Sequence, residues 1–188
     1  MARIIVRPLT PRRWPDLEKL FGPRGACGGC WCMYWRLPRK EYERRRGEGN
    51  RRALRRLAAV KPPPGLLAYL DAQPIGWCAL APREAYPVLD RSRVLARVDE
   101  NPVWSVVCFF VARHHRGRGV SRALARAAVA FARKRGARIV EGYPVAPRSA
   151  RAPDVFVYTG LPGTFLSAGF KEVARRSPTR PILRRALR

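Results

Sequence analysis

The sequence predicts an α/β (α+β) fold, and three observations carry that prediction. Strand-like apolar runs alternate along the chain with helix-like segments. One run, "VWSVVCFFVA", is unbroken and rich in β-branched and aromatic residues, as a central strand buried on both faces requires. It leads at once into "RHHRGRGVSRAL", a basic glycine loop that opens an amphipathic helix.

The elements follow in order. "RIIVRPL" reads as a first strand. Thr10 and Pro11 read as a helix start, the hydroxyl capping and the proline sitting in the first turn, where a missing N–H does no harm. That helix carries Trp14, Leu17, Leu20 and Phe21 and stops at Gly22-Pro23. An irregular segment, "GPRGACGGCWCMYWRLP", precedes basic helical material over residues 39–60, which "KPPPG" ends. "GLLAYLDAQPIGWCALAPRE" reads as a hairpin turning at residues 71–74. After the buried strand, the helix "VSRALARAAVAFARKRG" places Val120, Leu124, Ala127, Ala128 and Phe131 on one face and Arg122, Arg126 and Arg133 on the other. Gly136 ends it, "ARIVEGYPV" supplies the next strand, and the tail gives a short helix and two strands around Ser177-Pro178.

At 188 residues, 47% hydrophobic, the chain is expected to form one domain over its whole length, 1–188, with a proper core. Its 39 basic against 13 acidic residues give a formal charge of +26, almost all of it arginine. The basic residues are scattered along the chain. That pattern suits solvated charge spread over every face, and attraction to RNA or another polyanion is the competing reading. "MARIIVRPL" is too short in apolar residues for a signal sequence, and no run has the length of a membrane span. A cytoplasmic location is expected, with the five cysteines as thiols. Cys27, Cys30 and Cys32 follow C-x2-C-x-C without an evident fourth ligand, so no metal is expected.

The first turn of a helix offers unpaired N–H groups and the positive end of its dipole, together an anion site. Gly117 and Gly119 let the backbone turn tightly and let a phosphate come close, with Arg116 and Arg118 at the rim. The spacing fits neither the P-loop nor the dinucleotide fingerprint. In "RGRGVS", Arg116, Gly119 and Ser121 fill the pattern Gln/Arg-x-x-Gly-x-Gly/Ala, with serine departing from the last position. The chain thereby resembles the GNAT superfamily of acyl-CoA-dependent N-acyltransferases. "IIVRPLTPRRWPDLEKLF" is similar to the family's opening strand and helix, and "GFKEVAR" to its closing segment.

The resemblance implies a mixed twisted sheet of about six to seven strands, with helices on both faces and a splay between strands four and five (residues 104–112 and 138–145). Pantetheine would lie in that splay, paired with the backbone of Phe110 and Val111. The diphosphate would rest on residues 116–121: Arg116, Gly117, Arg118, Gly119, Val120 and Ser121. It implies direct transfer of an acetyl group from acetyl-CoA to a primary amine, a small-molecule or peptide acceptor. Alternatives are RNA-linked or ribosomal amines, or a basic nucleic-acid-binding module without catalysis; a homodimer is left open. Where relatives often carry a tyrosine, five residues before Phe170, this chain has Phe165, which has no proton to donate. Tyr143 and Tyr158 are the substitutes, unless they merely pack. Glu141, alone among apolar residues in the fifth strand, is either the base or the ion-pair partner of an arginine. Trp31, Tyr34, Trp35 and Arg36 either wall the acceptor site or pin their loop to the core.

Overall fold

The structure is a computed structural model that describes residues 3–147 and 153–187. Its seven strands form one sheet in the order β1-β2-β3-β4-β5-β7-β6. The strands are β1 (Ile5–Pro8), β2 (Gly65–Leu70), β3 (Gln73–Pro82), β4 (Trp104–Val111), β5 (Ile139–Gly142), β6 (Lys171–Arg175) and β7 (Pro181–Ala186). Every neighbouring pair is antiparallel except β4 and β5, the one parallel pair.

Two apolar clusters fill the two faces. On one lie α1 (Trp14–Phe21), with Trp14, Leu17 and Phe21 buried, and α3 (Glu48–Ala58), which contributes Ala53, Leu54 and Ala58. On the other lies α4 (Val120–Arg133), which buries Val120, Leu124, Ala125, Ala128, Val129 and Ala132 against β2, β3 and β4. Each fully buried leucine or valine of this kind contributes about 1.5–3 kcal/mol. The small alanines let the helix lie close to the sheet, while Phe131 is only partly buried and meets the edge of Trp104 at 6.1 Å.

Three local expectations change. Thr10 is extended and makes no side-chain cap; Pro11–Arg13 form a single 3-10 turn and α1 begins only at Trp14. The basic helical stretch is two helices, α2 (Arg39–Arg44) and α3, broken around Gly47, whose φ of 78° no continuing helix accommodates. The hairpin turn is the two residues Asp71 and Ala72, both at positive φ (46° and 65°), as a tight two-residue turn demands.

The β4–β5 pair positions everything that follows. Its register runs only from Trp104 opposite Val140 to Val106 opposite Gly142, while β4 continues to Val111. Pro144, which has no N–H to offer a ladder, comes two residues after β5 ends. Phe165 of α5 (Pro162–Leu166) fills the space alongside. A Cβ on Gly142 would lie 2.1 Å from the Phe165 ring, so only glycine lets that ring sit there. Phe165 is fully buried, edge-on to Phe109 at 5.7 Å and Phe170 at 5.1 Å. It is a wedge that helps hold the strands apart.

Candidate active site

The open side of β4 leads into one cavity of about 1080 Å³, running from the glycine loop to the cysteine-rich segment. At its first end, Gly117 and Gly119 have φ of 72° and 77°, a region that side-chain-bearing residues rarely adopt. Gly119 is the N-cap of α4, and no side chain caps the helix. The amide of Ala123 bonds to the Gly119 carbonyl at 3.0 Å, which leaves the amides of Val120, Ser121 and Arg122 without an intrahelical acceptor. A Cβ at Gly117 would meet nothing within 4 Å, so the loop surface is open to an approaching group. Arg116, Ser121 and Arg122 line the cavity beside these amides. Arg118 is exposed and stands outside the lining.

Backbone alternation along β4 decides which residues offer hydrogen bonds to the gap. The Phe109 N–H turns away from β3 and bonds to the Tyr158 carbonyl at 2.6 Å. The Val111 carbonyl accepts from Arg116 Nε at 3.1 Å, also on that side, while the Ala112 N–H bonds to the Ile75 carbonyl within β3. Phe110, between them, therefore presents its peptide groups to β3, opposite Trp77, and its ring to Phe21 at 5.4 Å. Phe109 and Val111 border the gap with their backbones; Phe110 lines it but does not.

The far end is walled by Tyr34, Trp35, Tyr42, Tyr158 and four cysteines. Tyr34 and Trp35 meet edge-on at 5.1 Å, and Tyr34 and Tyr42 at 5.5 Å. The Trp35 indole N–H is buried without a hydrogen-bond partner. Trp31 and Arg36, expected here, lie elsewhere. Trp31 has φ of 42°, which turns it into the core, where it stacks on Trp14 at 5.8 Å. Arg36 lies over the Tyr86 ring at 4.5 Å and donates to its hydroxyl at 3.1 Å, outside the lining.

Cys32 Sγ is 3.5 Å from Cys108 Sγ and accepts the Trp77 indole N–H at 3.1 Å. Burial pushes the Cys30 thiol up to about 11. Among the described residues, no three or more His, Cys, Asp or Glu are grouped to hold a metal ion. Tyr158 is partly buried, and burial, reinforced by Cys108 and Tyr34, pushes its phenol well above its ordinary range. Among the described residues, none hydrogen-bonds its hydroxyl.

Glu141 and Tyr143, the other candidate catalytic groups, are absent from the lining and have no exposed surface. Glu141 is held by Arg83 at 3.1 Å and by Arg184 at 2.5 Å. The Tyr143 hydroxyl donates to Glu141 at 2.6 Å, accepts from Arg83 at 2.8 Å and contacts Ser105 Oγ at 2.7 Å. Arg83, 1% exposed, also reaches Asp90 at 2.8 Å and the Leu95 carbonyl at 2.9 Å. The expected base is thus one corner of a buried ion-pair network and lies outside the cavity lining. Sequence reasoning passed over Phe109 and Tyr42, and weighed Cys108 and His115 only as metal ligands; all four line the cavity. His115, whose Nδ1 is buried without a partner, sits in the loop the motif already marks.

The protein-family model described as "Acetyltransferase (GNAT) family" matches residues 31–153. No curated protein matches the chain in sequence. Solved structures do match it in fold. The GNAT domain of S. lividans PAT aligns with a TM-score of 0.55 at 20% identity, covering 99% of this chain and 90% of that one. PaiA N-acetyltransferase of Thermoplasma acidophilum, solved with coenzyme A, gives 0.55 at 14%, covering 98% and 99%. The polyamine N-acetyltransferase of Drosophila melanogaster gives 0.54 at 11%, covering 98% and 100%. The parted parallel strands, the glycine-capped helix and the matched family model together place the chain in the GNAT acetyltransferase family.

Proposed function

We propose that the chain transfers an acetyl group from acetyl-CoA to the nitrogen of a primary amine by direct attack. One observation carries this reading: the uncapped amides of α4 and the unpaired edge of β4 open into the same cavity. The residues fit acetyl-CoA as a co-substrate. The amides of residues 119–122 and the charge of Arg116 and Arg122 suit a diphosphate. The backbone edge of β4 at Val111, which faces the gap rather than β3, suits the amides of pantetheine, and the cavity continues to the aromatic wall, where an acceptor would stand.

In the transfer, the amine nitrogen attacks the thioester carbonyl, the C–S bond breaks, and the departing sulfur takes a proton. Tyr158 is the donor this reading selects. Its hydroxyl lies at the cavity wall, and burial keeps it protonated across the neutral range. No carboxylate is among the described residues that line the cavity, so the amine gives up its own proton to water. With Glu141 outside the cavity lining, turnover should follow the titration of the acceptor amine.

The test is calorimetry with acetyl-CoA on the wild type and on Gly119→Val. A β-branched residue cannot adopt φ of 77° without strain, so the loop must rearrange. Binding is expected to disappear while circular dichroism still reports a folded protein. Equal affinity in a folded variant would remove the loop from the site.

A further inference from the structure

We propose that Cys32 and Cys108 are a modification site, which a peroxide joins into a reversible disulfide tying the cysteine-rich segment to β4 across the cavity wall. The inference goes beyond the acyltransferase reading and does not depend on it. The two sulfurs are 3.5 Å apart, and both residues line the cavity, which is wide enough to admit a molecule as small as hydrogen peroxide. Cys32 is 6% exposed and Cys108 partly so. A disulfide bond is about 2 Å long, so the sulfurs need approach by only about 1.5 Å.

Neither sulfur is where regular structure would leave it. Along β4, Val106 lies opposite Leu80 and Cys108 opposite Ala79, so Val107 is an extra residue and the strand bulges there. Strict alternation would send Val107 and Cys108 to opposite faces of the sheet. The bulge turns both to the face that the cysteine-rich segment covers, where they pack in the cluster that holds Cys32. On the other side of the contact, Trp31 and Cys32 have φ of 42° and 53°, a left-handed pair that residues other than glycine seldom form. Two local irregularities, 76 residues apart in sequence, thus aim two thiols at each other.

The remaining cysteines are placed less well for pairing. Cys27 is exposed, the Cys30 thiol lies against the Gly25 carbonyl at 3.5 Å, and Cys78 is fully buried outside the cavity lining. Within the pair the roles differ. Contact with Cys32, and then burial, hold the Cys108 thiol well above its ordinary value, so Cys108 keeps its proton. Cys32 Sγ accepts the Trp77 indole N–H at 3.1 Å, a donor placed to meet negative charge on that sulfur. Cys32 is therefore the sulfur that attacks. It takes one oxygen of the peroxide as the O–O bond breaks, which gives a sulfenic acid and one water. The Cys108 sulfur then displaces that oxygen as a second water, and the S–S bond forms. Both thiol protons leave in the waters; the two sulfurs lose two electrons and the peroxide gains them. A dithiol reductant reverses the change.

The experiment treats the folded chain with hydrogen peroxide and maps its unreduced peptides by mass spectrometry. Cys32 and Cys108 should appear joined, with the loss of two hydrogens, and should separate again after dithiothreitol. Cys27→Ser removes the exposed thiol and leaves four, which should fall to two after peroxide. Cys108→Ala should form no bridge within the chain and should instead carry a dimedone adduct on Cys32, the trapped sulfenic acid. The wild-type map needs no variant to fold. A bridge through Cys27 or Cys30 instead, or Cys32 and Cys108 both surviving peroxide as thiols in folded protein, would overturn the inference.

Discussion

Where β4 and β5 pair, they are joined by buried charge; where they part, the same β4 faces a cavity whose described wall holds no carboxylate. At the paired end, Glu141 gathers Arg83, Arg184 and Tyr143, and through them Ser105, Asp90 and Asp99. Ser105 lies opposite Glu141 in β4 and Arg184 opposite it in β7, so the network crosses three strands at one level. At the parted end, thiols, aromatic rings and free amides take over. A cleft between strands exposes backbone that would otherwise pair, and it persists only if the strands are clamped nearby. The charge that looked suited to catalysis lies at the paired end, bonded to Arg83, Arg184 and Tyr143, where it can act as a clamp.

Removing the clamp should produce the largest change. Glu141→Ala strips buried Arg83 of one of its two carboxylates and Arg184 of another, and breaking such a buried pair typically destabilises by about 3–5 kcal/mol. Urea unfolding should show a loss of that size, and whatever fraction stays folded should keep its turnover at low pH. Stability unchanged within about 1 kcal/mol, together with a rate loss of ~10² or more, would make Glu141 the base after all.

The two tyrosines sharpen the contrast. Tyr158→Phe should lower kcat by about 10²–10⁴ with little effect on the urea midpoint, because no described residue hydrogen-bonds its hydroxyl and the side chain lines the cavity. Because its phenol is held above the ordinary range, wild-type turnover should show no alkaline decline through about pH 10. Tyr143→Phe should do the reverse. It removes a hydroxyl that three buried groups share, destabilising by about 1–3 kcal/mol, and leaves kcat nearly as it was.

The glycine loop was legible from sequence because its signal is local: an apolar strand, two glycines and a helix start lie within a few residues of one another. The clamp was not. Glu141 was visible as a lone acid in an apolar strand, but its partners are 58 residues earlier and 43 residues later. In a chain with 39 basic residues, nothing marks Arg83 as the one that is buried. The aromatic run failed for another reason. Positive φ at Trp31 and Cys32 breaks any regular period, so Trp31 enters the core while Tyr34, 46% exposed, faces the cavity. Phe165 was read correctly as unable to donate a proton; that its ring wedges the strands apart follows from Gly142 and Gly160, which only the fold brings beneath it.

The wedge predicts a smaller effect. Gly142→Ala would drive a methyl group into the Phe165 ring, and overpacking of this kind typically destabilises by about 1–3 kcal/mol. Pairing it with Phe165→Leu should restore part of the stability in urea unfolding. If the single variant is neutral, the ring moves freely and the strands part for some other reason.

The smallest effect belongs to the solvent-facing edge of the clamp. The hydrogen bond from Arg184 lowers the Asp99 carboxyl to about 2, below the value near 4 expected in the unfolded chain. The unfolded state therefore takes up a proton first as the solution is acidified. The stabilisation from this pair is complete above about pH 4 and is lost as pH falls towards 2. Asp99 faces water, so screening keeps the contribution slight, and salt should weaken it further. Melting temperatures of the wild type and Asp99→Asn should converge as pH falls from 5 to 2. If they stay parallel instead, Arg184 serves Glu141 alone, and the clamp ends inside the sheet.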